Sequence, residues 1–319
     1  MITVVYHAFL VSEWKDLVKE QIERLILSGL YEYCDEIFMT VNSEEHNKEE
    51  FIELISEYDK IKYEFNNEGH AEYPAIKKIK EISKEKDTKI LYFHTKGVSN
   101  FWERAVNKEK ISHEKVKNVK SWRECMEYFL IDNWRLCVEK LDEYDNVGVT
   151  CNNGWYSGNF WWSKSEHIRK TNEVGKWGRW DYENWLNAGI SGQKNYEFYH
   201  TNLNLFLTNL EKEWYKLDRE EIDKEIIIQK AFYGTAPFEI DEGYYGQPLS
   251  EGIDVTKIVE KLLQKEDNKL FNFRVCNESM EVEKDNGLRK FLVIEFKYKD
   301  SDKIMNIGVS QNNNILFKP

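Results

Sequence analysis

No apolar run in the chain approaches the ~20 residues that a bilayer crossing needs. The opening Met1-Ile-Thr-Val-Val-Tyr-His7 has no basic stretch leading into an apolar one, so neither a membrane span nor a secretory leader is expected. Cysteine is sparse and scattered: five residues, at 34, 125, 137, 151 and 276, with no Cys-x-x-Cys pair. That pattern argues against a disulfide framework or a cysteine zinc site, and for reduced thiols in a cytosol-like compartment. Positive charge is in deficit, with 45 Lys and Arg against 57 Asp and Glu, a net charge of −12. Such a chain repels nucleic acid phosphates and anionic lipid, and nucleic acid is not an expected partner. Internal repeats and low-complexity tracts are also missing.

What is present suffices for a large core: 319 residues, 41% hydrophobic, with 11 Trp, 18 Tyr and 17 Phe. That length exceeds the roughly 100–200 residues of one domain, so two are expected, 1–220 and 221–319. In the first, strands Ile2–His7, Glu36–Val41, Ile61–Phe65 and Lys89–Phe93 alternate with helices Trp14–Ser28, Lys48–Tyr58 and Ala75–Lys86. Alternation of this kind predicts an α/β domain with a mostly parallel, doubly wound, Rossmann-like sheet. Ligands of such sheets bind beyond the carboxyl ends of the strands, so His7, Asn42 and His94–Gly97 are expected on one rim. A helical stretch over Ser121–Tyr144 follows. Then come strands Val147–Cys151 and Tyr156–Ser163, a helix at Asp181–Asn187 and a strand near Tyr196–Tyr199. Beyond Lys224 the pattern turns to short β-type runs, interrupted by a Gly-rich loop at 234–252 and one helix, Val255–Leu263, capped by Asp254 or Thr256.

Several segments together resemble a glycosyltransferase group found in bacteria and large DNA viruses, with the GT-A nucleotide-sugar fold. They are Tyr6-His7, Glu20–Leu25, Ser28-Gly29-Leu30-Tyr31, Tyr92–Ser99 with its His94-Thr95-Lys96-Gly97, Ser157-Gly158-Asn159-Phe160-Trp161-Trp162, and Arg179…Glu183-Asn184-Trp185. The likeness covers roughly residues 1–215. Residues Ala231–Gly234, Asp254–Thr256 and Lys290–Phe296 are weakly similar to a small β domain appended to some J-domain co-chaperones, which implies no activity.

The resemblance implies transfer of a sugar from a nucleotide-sugar donor to a hydroxyl acceptor. Many such enzymes end the fourth strand with Asp-x-Asp, which holds a metal on the diphosphate; here His94-Thr95-Lys96 stands there. Charge grows on the leaving phosphate oxygen during transfer, and a lysine can stabilise it as a point charge. Lys96 is therefore expected to contact phosphate, His94 to donate nearby or ligate a metal, and Gly97 to let backbone N–H groups approach. The bland reading is a strand-end turn with a capping Thr95 and a solvated lysine.

An inverting transferase needs one carboxylate to deprotonate the acceptor hydroxyl. Asp181 and Glu183 both open a helix, and the resemblance points to Glu183; Asp181 also reads as a helix cap. Arg179 could pair with that carboxylate or bind phosphate. Strand alternation over Tyr156–Ser163 would turn Ser157, Asn159 and Trp161 toward a sugar, unless every aromatic is packing. His200 could join His94 in a metal site, though two histidines without carboxylates fall short of an oxygen-rich Mg²⁺ or Mn²⁺ shell. Asn42 and Glu44 are candidates for base or ribose, Arg104 and Arg123 for diphosphate, and Tyr73-Pro74 for a turn whose ring faces the donor.

No tightly bound cofactor is expected, the nucleotide-sugar being a co-substrate, and metal dependence stays open. Expected partners are that donor and a glycan, lipid-linked or protein acceptor; self-association is left open. The expected location is the cytoplasm, the host's for a viral chain. Two alternatives stand beside catalysis: a non-catalytic nucleotide-sugar or glycan-binding module, and an assembly protein working through its C-terminal β domain.

Overall fold

The computed structural model describes residues 1–43, 47–66, 71–98, 113–152, 154–175, 178–218, 224–234, 252–282 and 289–319, with backbone only at 113, 114, 179 and 180. The chain divides into two compact units, Met1–Ala105 with Arg123–His200, and Val106–Trp122 with Thr201–Pro319. Among the described residues no helix is long and apolar enough to cross a membrane.

The first unit is α/β, as the alternation implies. It opens with β1 (Ile2–Leu10), α1 (Trp14–Leu27), α2 (Leu30–Tyr33), β2 (Glu36–Ser43), α3 (Lys48–Ile55), β3 (Ile61–Asn66), α4 (Tyr73–Glu85) and β4 (Lys89–His94). Strands β1, β2, β3 and β4 are mutually parallel, and β1 lies between β2 and β4. β1 is buried along nearly its whole length, as a central strand covered on both faces should be. Helix α1 buries Trp14, Leu17, Val18, Ile22 and Leu25, the stripe its spacing predicts. In α4, Pro74 occupies the first turn, where its missing N–H costs nothing.

Next come α5 (His113–Glu127), a π-helical turn (Tyr128–Asp132) and α6 (Trp134–Lys140). The single helical stretch read over Ser121–Tyr144 is thus broken at Asn133, whose side chain donates 2.8 Å to the Tyr128 carbonyl. A side-chain amide competing for a helical carbonyl accounts for the break.

Strands β5 (Asn146–Gly148), β6 (Cys151–Asn152), β7 (Trp155–Tyr156) and β8 (Trp161–Lys164) follow, then α7 (Ser165–Lys170), α8 (Arg179–Asn184) and β9 (Asn195–Glu197). The expected strand Tyr156–Ser163 is corrected here. Gly158 (φ 88°) and Asn159 (φ 56°) turn the chain between β7 and β8, and Gly and Asn are the residues that adopt this left-handed backbone most readily. The period-two assignment of faces therefore fails at its middle. In the seven-stranded sheet the order is β3-β2-β1-β4-β8-β5-β9, with β8 antiparallel to both neighbours.

The second unit includes α9 (Lys212–Tyr215), β10 (Ile226–Gly234), β11 (Gly252–Asp254), α10 (Thr256–Gln264), β12 (Phe271–Arg274), β13 (Phe291–Tyr298), β14 (Met305–Ser310) and β15 (Asn314–Phe317). The order β11-β10-β13-β14 is antiparallel throughout, and β12 pairs with β15. α10 buries Val259 and Leu263, and its N-cap position is Val255 rather than Asp254 or Thr256; Asp254, one residue earlier, accepts the Thr256 N–H at 2.9 Å. Residues 204–208 strap the far edge of β14. Asn204 N–H donates to the Gly308 carbonyl (2.7 Å), Gly308 N–H to Thr208 Oγ1 (2.9 Å), and Asn306 Nδ2 to the Leu207 carbonyl (2.8 Å). An otherwise unpaired strand edge is thereby covered.

Candidate functional site

The strand order reverses between β1 and β4, and a ligand crevice of a doubly wound sheet opens beyond the carboxyl ends at such a switch point. His7 and His94 are register partners there. Past β4 the chain makes a tight turn: Thr95 N–H donates to the His7 carbonyl (3.1 Å), Lys96 N–H to His94 (2.7 Å) and Val98 N–H to Thr95 (3.2 Å). Gly97 sits at φ 92°, open to glycine and strained for other residues. Thr95 Oγ1 accepts the Phe9 N–H at 2.9 Å, so this side chain stitches β4 to β1. Lys96 is buried in the turn.

A buried ionic network supports that turn. Glu127, fully buried, accepts from Gln21 Nε2 (2.6 Å) and Arg24 Nη1 (2.8 Å), and Arg123 Nε lies 3.3 Å away. Burial pushes the Glu127 carboxyl pKa up, against the pull of Arg123 and Arg24. Gln21 also donates to the His94 carbonyl and Arg123 to the Lys96 carbonyl, each at 3.4 Å. Arg123, expected at the diphosphate, is instead a buried strut that also pairs with Glu20 at 3.3 Å.

On the β8 side stands a residue the sequence did not single out. Glu72, just before α4, is buried, and its carboxylate meets three site side chains. Tyr92 Oη donates to Oε2 at 2.6 Å and Asn159 Nδ2 to the same oxygen at 2.5 Å. Oε1 lies 3.9 Å from His94 Nε2. That nitrogen is 3.1 Å from the Gly158 carbonyl, so it carries the ring proton. Burial first, then the Glu72 and Glu183 carboxylates, push the Tyr92 hydroxyl pKa well up, and Tyr92 acts as a donor. Nothing in the local sequence marks Glu72; its partners come from β4 and from the turn before β8, far along the chain.

Other expected residues divide. Glu183 is half-buried and within electrostatic reach of the Tyr92 hydroxyl. Asp181 is exposed and accepts the Gly178 N–H at 2.9 Å, the helix-cap role. Asn159 is 1% exposed and both ends of its amide are engaged, Nδ2 with Glu72 and Oδ1 with the Trp161 indole N–H at 2.9 Å. Trp161 lies in an apolar core cluster at 1% exposure, which corrects the expectation that its face meets a sugar. Ser157 is half-buried beside that turn, and its N–H bonds to the Thr150 carbonyl.

His7 bonds Thr40 Oγ1 through Nδ1 at 2.9 Å. Burial lowers its pKa to about 4, with Glu72 opposing and His94 adding to the effect, so it brings no positive charge to a phosphate at neutral pH. Asn42 donates to the Ala71 carbonyl (3.0 Å) and accepts from Asn66 (2.9 Å). His200 is exposed and pairs with Glu197 at 3.2 Å; it follows β9, which β8 and β5 separate from the strand of His94. Among the described residues no three His, Cys, Asp or Glu side chains cluster to hold a metal. Glu44, Arg104 and the Arg179 side chain lie outside the described residues.

A small pocket of about 170 Å³ opens at the sheet edge, lined by Glu64, Asn66, Tyr73, Pro74, Lys77 and Lys78. It is smaller than the ~300 Å³ at which ligand clefts begin and lies two strands from the switch point, so the cluster around β1 and β4 is the better candidate. No protein-family model and no curated protein matches the chain.

Proposed function

We propose that the first unit is a GT-A-type glycosyltransferase, moving a sugar from a nucleotide-sugar donor to a hydroxyl acceptor with inversion. What supports this reading is the Lys96-Gly97 turn just past β4, beside the switch point, together with a second carboxylate, Glu183, within electrostatic reach of the Tyr92 hydroxyl. The turn offers a lysine and a glycine backbone to a diphosphate. Glu183 would serve as the base for the acceptor hydroxyl.

The acceptor O–H proton passes to Glu183 as its oxygen bonds the anomeric carbon. The bond from that carbon to the phosphate oxygen breaks, and its electron pair leaves on the diphosphate, where Lys96 stabilises the charge. Gln21 and Arg123 hold the turn's carbonyls back, so that Lys96 has a fixed origin.

A melting-temperature screen of the full chain against UDP-, GDP- and dTDP-sugars, with and without Mn²⁺, tests donor recognition. Donor-specific stabilisation is expected, weakened in Lys96→Ala. Slow donor hydrolysis should fall roughly a hundredfold or more in Glu183→Gln, in keeping with removal of a general base. Full turnover in that variant would remove Glu183 from its role.

A further inference from the structure

Asn159, the residue whose amide looked suited to reading sugar hydroxyls, has both amide ends engaged. The same network holds an acceptor that is not engaged. Glu72 Oε2 takes two hydrogen bonds, whereas Oε1 accepts none from any described residue, its neighbour His94 Nε2 lying 3.9 Å away. The Glu72 side chain keeps 10% of its surface exposed, so it is not wholly closed off from solvent.

Keeping a carboxylate so nearly buried with an unfilled oxygen costs desolvation that a structural role would not require. The backbone is also held against preference here. Ala71 sits at φ 41°, a strained region for a residue with a Cβ, and its carbonyl is fixed by Asn42. Immediately after it, the Glu72 carbonyl accepts the Ala75 and Ile76 N–H groups at 3.1 Å each, anchoring the residue to α4. Tyr92 and Asn159 fix the side chain, leaving Oε1 as a preorganised acceptor.

We infer that Glu72 Oε1 is the sugar-reading atom of this site: it accepts a hydroxyl of the donor's sugar and selects neutral hexoses over uronic acids. The inference rests on the glycosyltransferase reading and deepens it. An anion at this point repels phosphate, so the diphosphate lies toward Lys96 and the sugar toward Glu72. Glu183, the other carboxylate near Tyr92, then falls at the sugar end, where a base is needed. A hydroxyl donates to Oε1, whereas a sugar carboxylate would meet like charge at hydrogen-bond range.

The test uses the full chain and compares UDP-glucose with UDP-glucuronate, GDP-mannose with GDP-mannuronate, and UDP or GDP alone, by calorimetry. In the wild type the neutral donor is expected to bind about tenfold or more tightly than its uronate counterpart. Glu72→Gln can keep the bonds from Tyr92 and Asn159 with its carbonyl oxygen, and then presents NH₂ in place of Oε1. It should weaken the neutral donor roughly tenfold to a hundredfold, leave the free nucleotide unchanged and abolish the preference. Equal binding of neutral and uronate donors by the wild type, or an unchanged preference in the variant, overturns the proposal. Should the variant not fold, a set of singly deoxygenated UDP-glucoses on the wild type decides. One deoxygenation must cost about tenfold; none doing so refutes the role. If UDP or GDP binds and the sugar adds nothing, only the Glu72 assignment falls. If neither nucleotide nor nucleotide-sugar binds, the donor reading itself fails and takes this proposal with it.

Discussion

His7 should make the first unit acid-sensitive in a window that can be worked out in advance. Its imidazole is buried on β1, bonded to Thr40, with a pKa held near 4 against 6.5 for a free histidine. Well above pH 6.5 neither the folded nor the unfolded chain protonates it, and it adds no pH dependence there. As pH falls from 6.5 toward 4 the unfolded chain takes up a proton that the folded chain refuses, so stability drops. A displacement of 6.5 − 4 = 2.5 at ~1.36 kcal/mol per unit gives about 3 kcal/mol in total, and about 2.5 kcal/mol of it by pH 4.5.

The perturbation is His7→Gln, which keeps a polar group for Thr40 and removes the titration. Because two units need not unfold together, the readout is hydrogen exchange of peptides covering β1 and β4 through a urea series, from pH 7.5 to 4.5. The wild type should lose stability more steeply than the variant between pH 6.5 and 4.5. His167, also lowered chiefly by burial, has the same sign and is common to both proteins, so it cancels. Curves that run parallel within ~0.5 kcal/mol would refute the reasoning, since a buried neutral histidine cannot avoid this linkage.

Arg123→Ala should destabilise the first unit by about 2–4 kcal/mol in the same urea assay. It strands fully buried Glu127 with fewer partners and removes a packed stem. Glu20→Ala, whose side chain is 43% exposed, should cost less than ~1 kcal/mol. Equal effects would show that the network is not anchored at Glu127. Lys80→Met should cost about 2–4 kcal/mol, because Lys80 Nζ donates to the Ile168, Arg169 and Thr171 carbonyls at the end of α7 and their loss leaves buried acceptors unfilled. A melting temperature unchanged from wild type would contradict that.

Much of the first unit was legible because its signals are local. Three of the four leading strands are mainly apolar and the third, Ile61–Phe65, alternates apolar with charged residues, and each expected span lies inside the observed one. The rim followed from the same pattern, since parallel strands must place their carboxyl ends together. Glu72 was illegible for a physical reason: its partners Tyr92 and Asn159 stand 20 and 87 residues away, and only the sheet joins them. The turn at Gly158-Asn159 did carry a local signal, a Gly-Asn pair, but the flanking aromatic alternation outweighed it. Arg123 shows a related limit, because an arginine bound for a buried network looks like a surface one until its carboxylates are known.

The strap on β14 also sets a schedule for synthesis. Thr208 bonds Gly308, 100 residues further along, so the ribosome makes the strap first and its partner strand much later. At about 5–20 residues per second the interval is roughly 5–20 s. During that time Leu207, which packs beside Gly308 and is buried in the finished unit, has no β14 to rest on. The nascent chain thus carries a short apolar segment with its docking edge still unmade, a natural window for chaperone capture and for misassembly between neighbouring chains on one message.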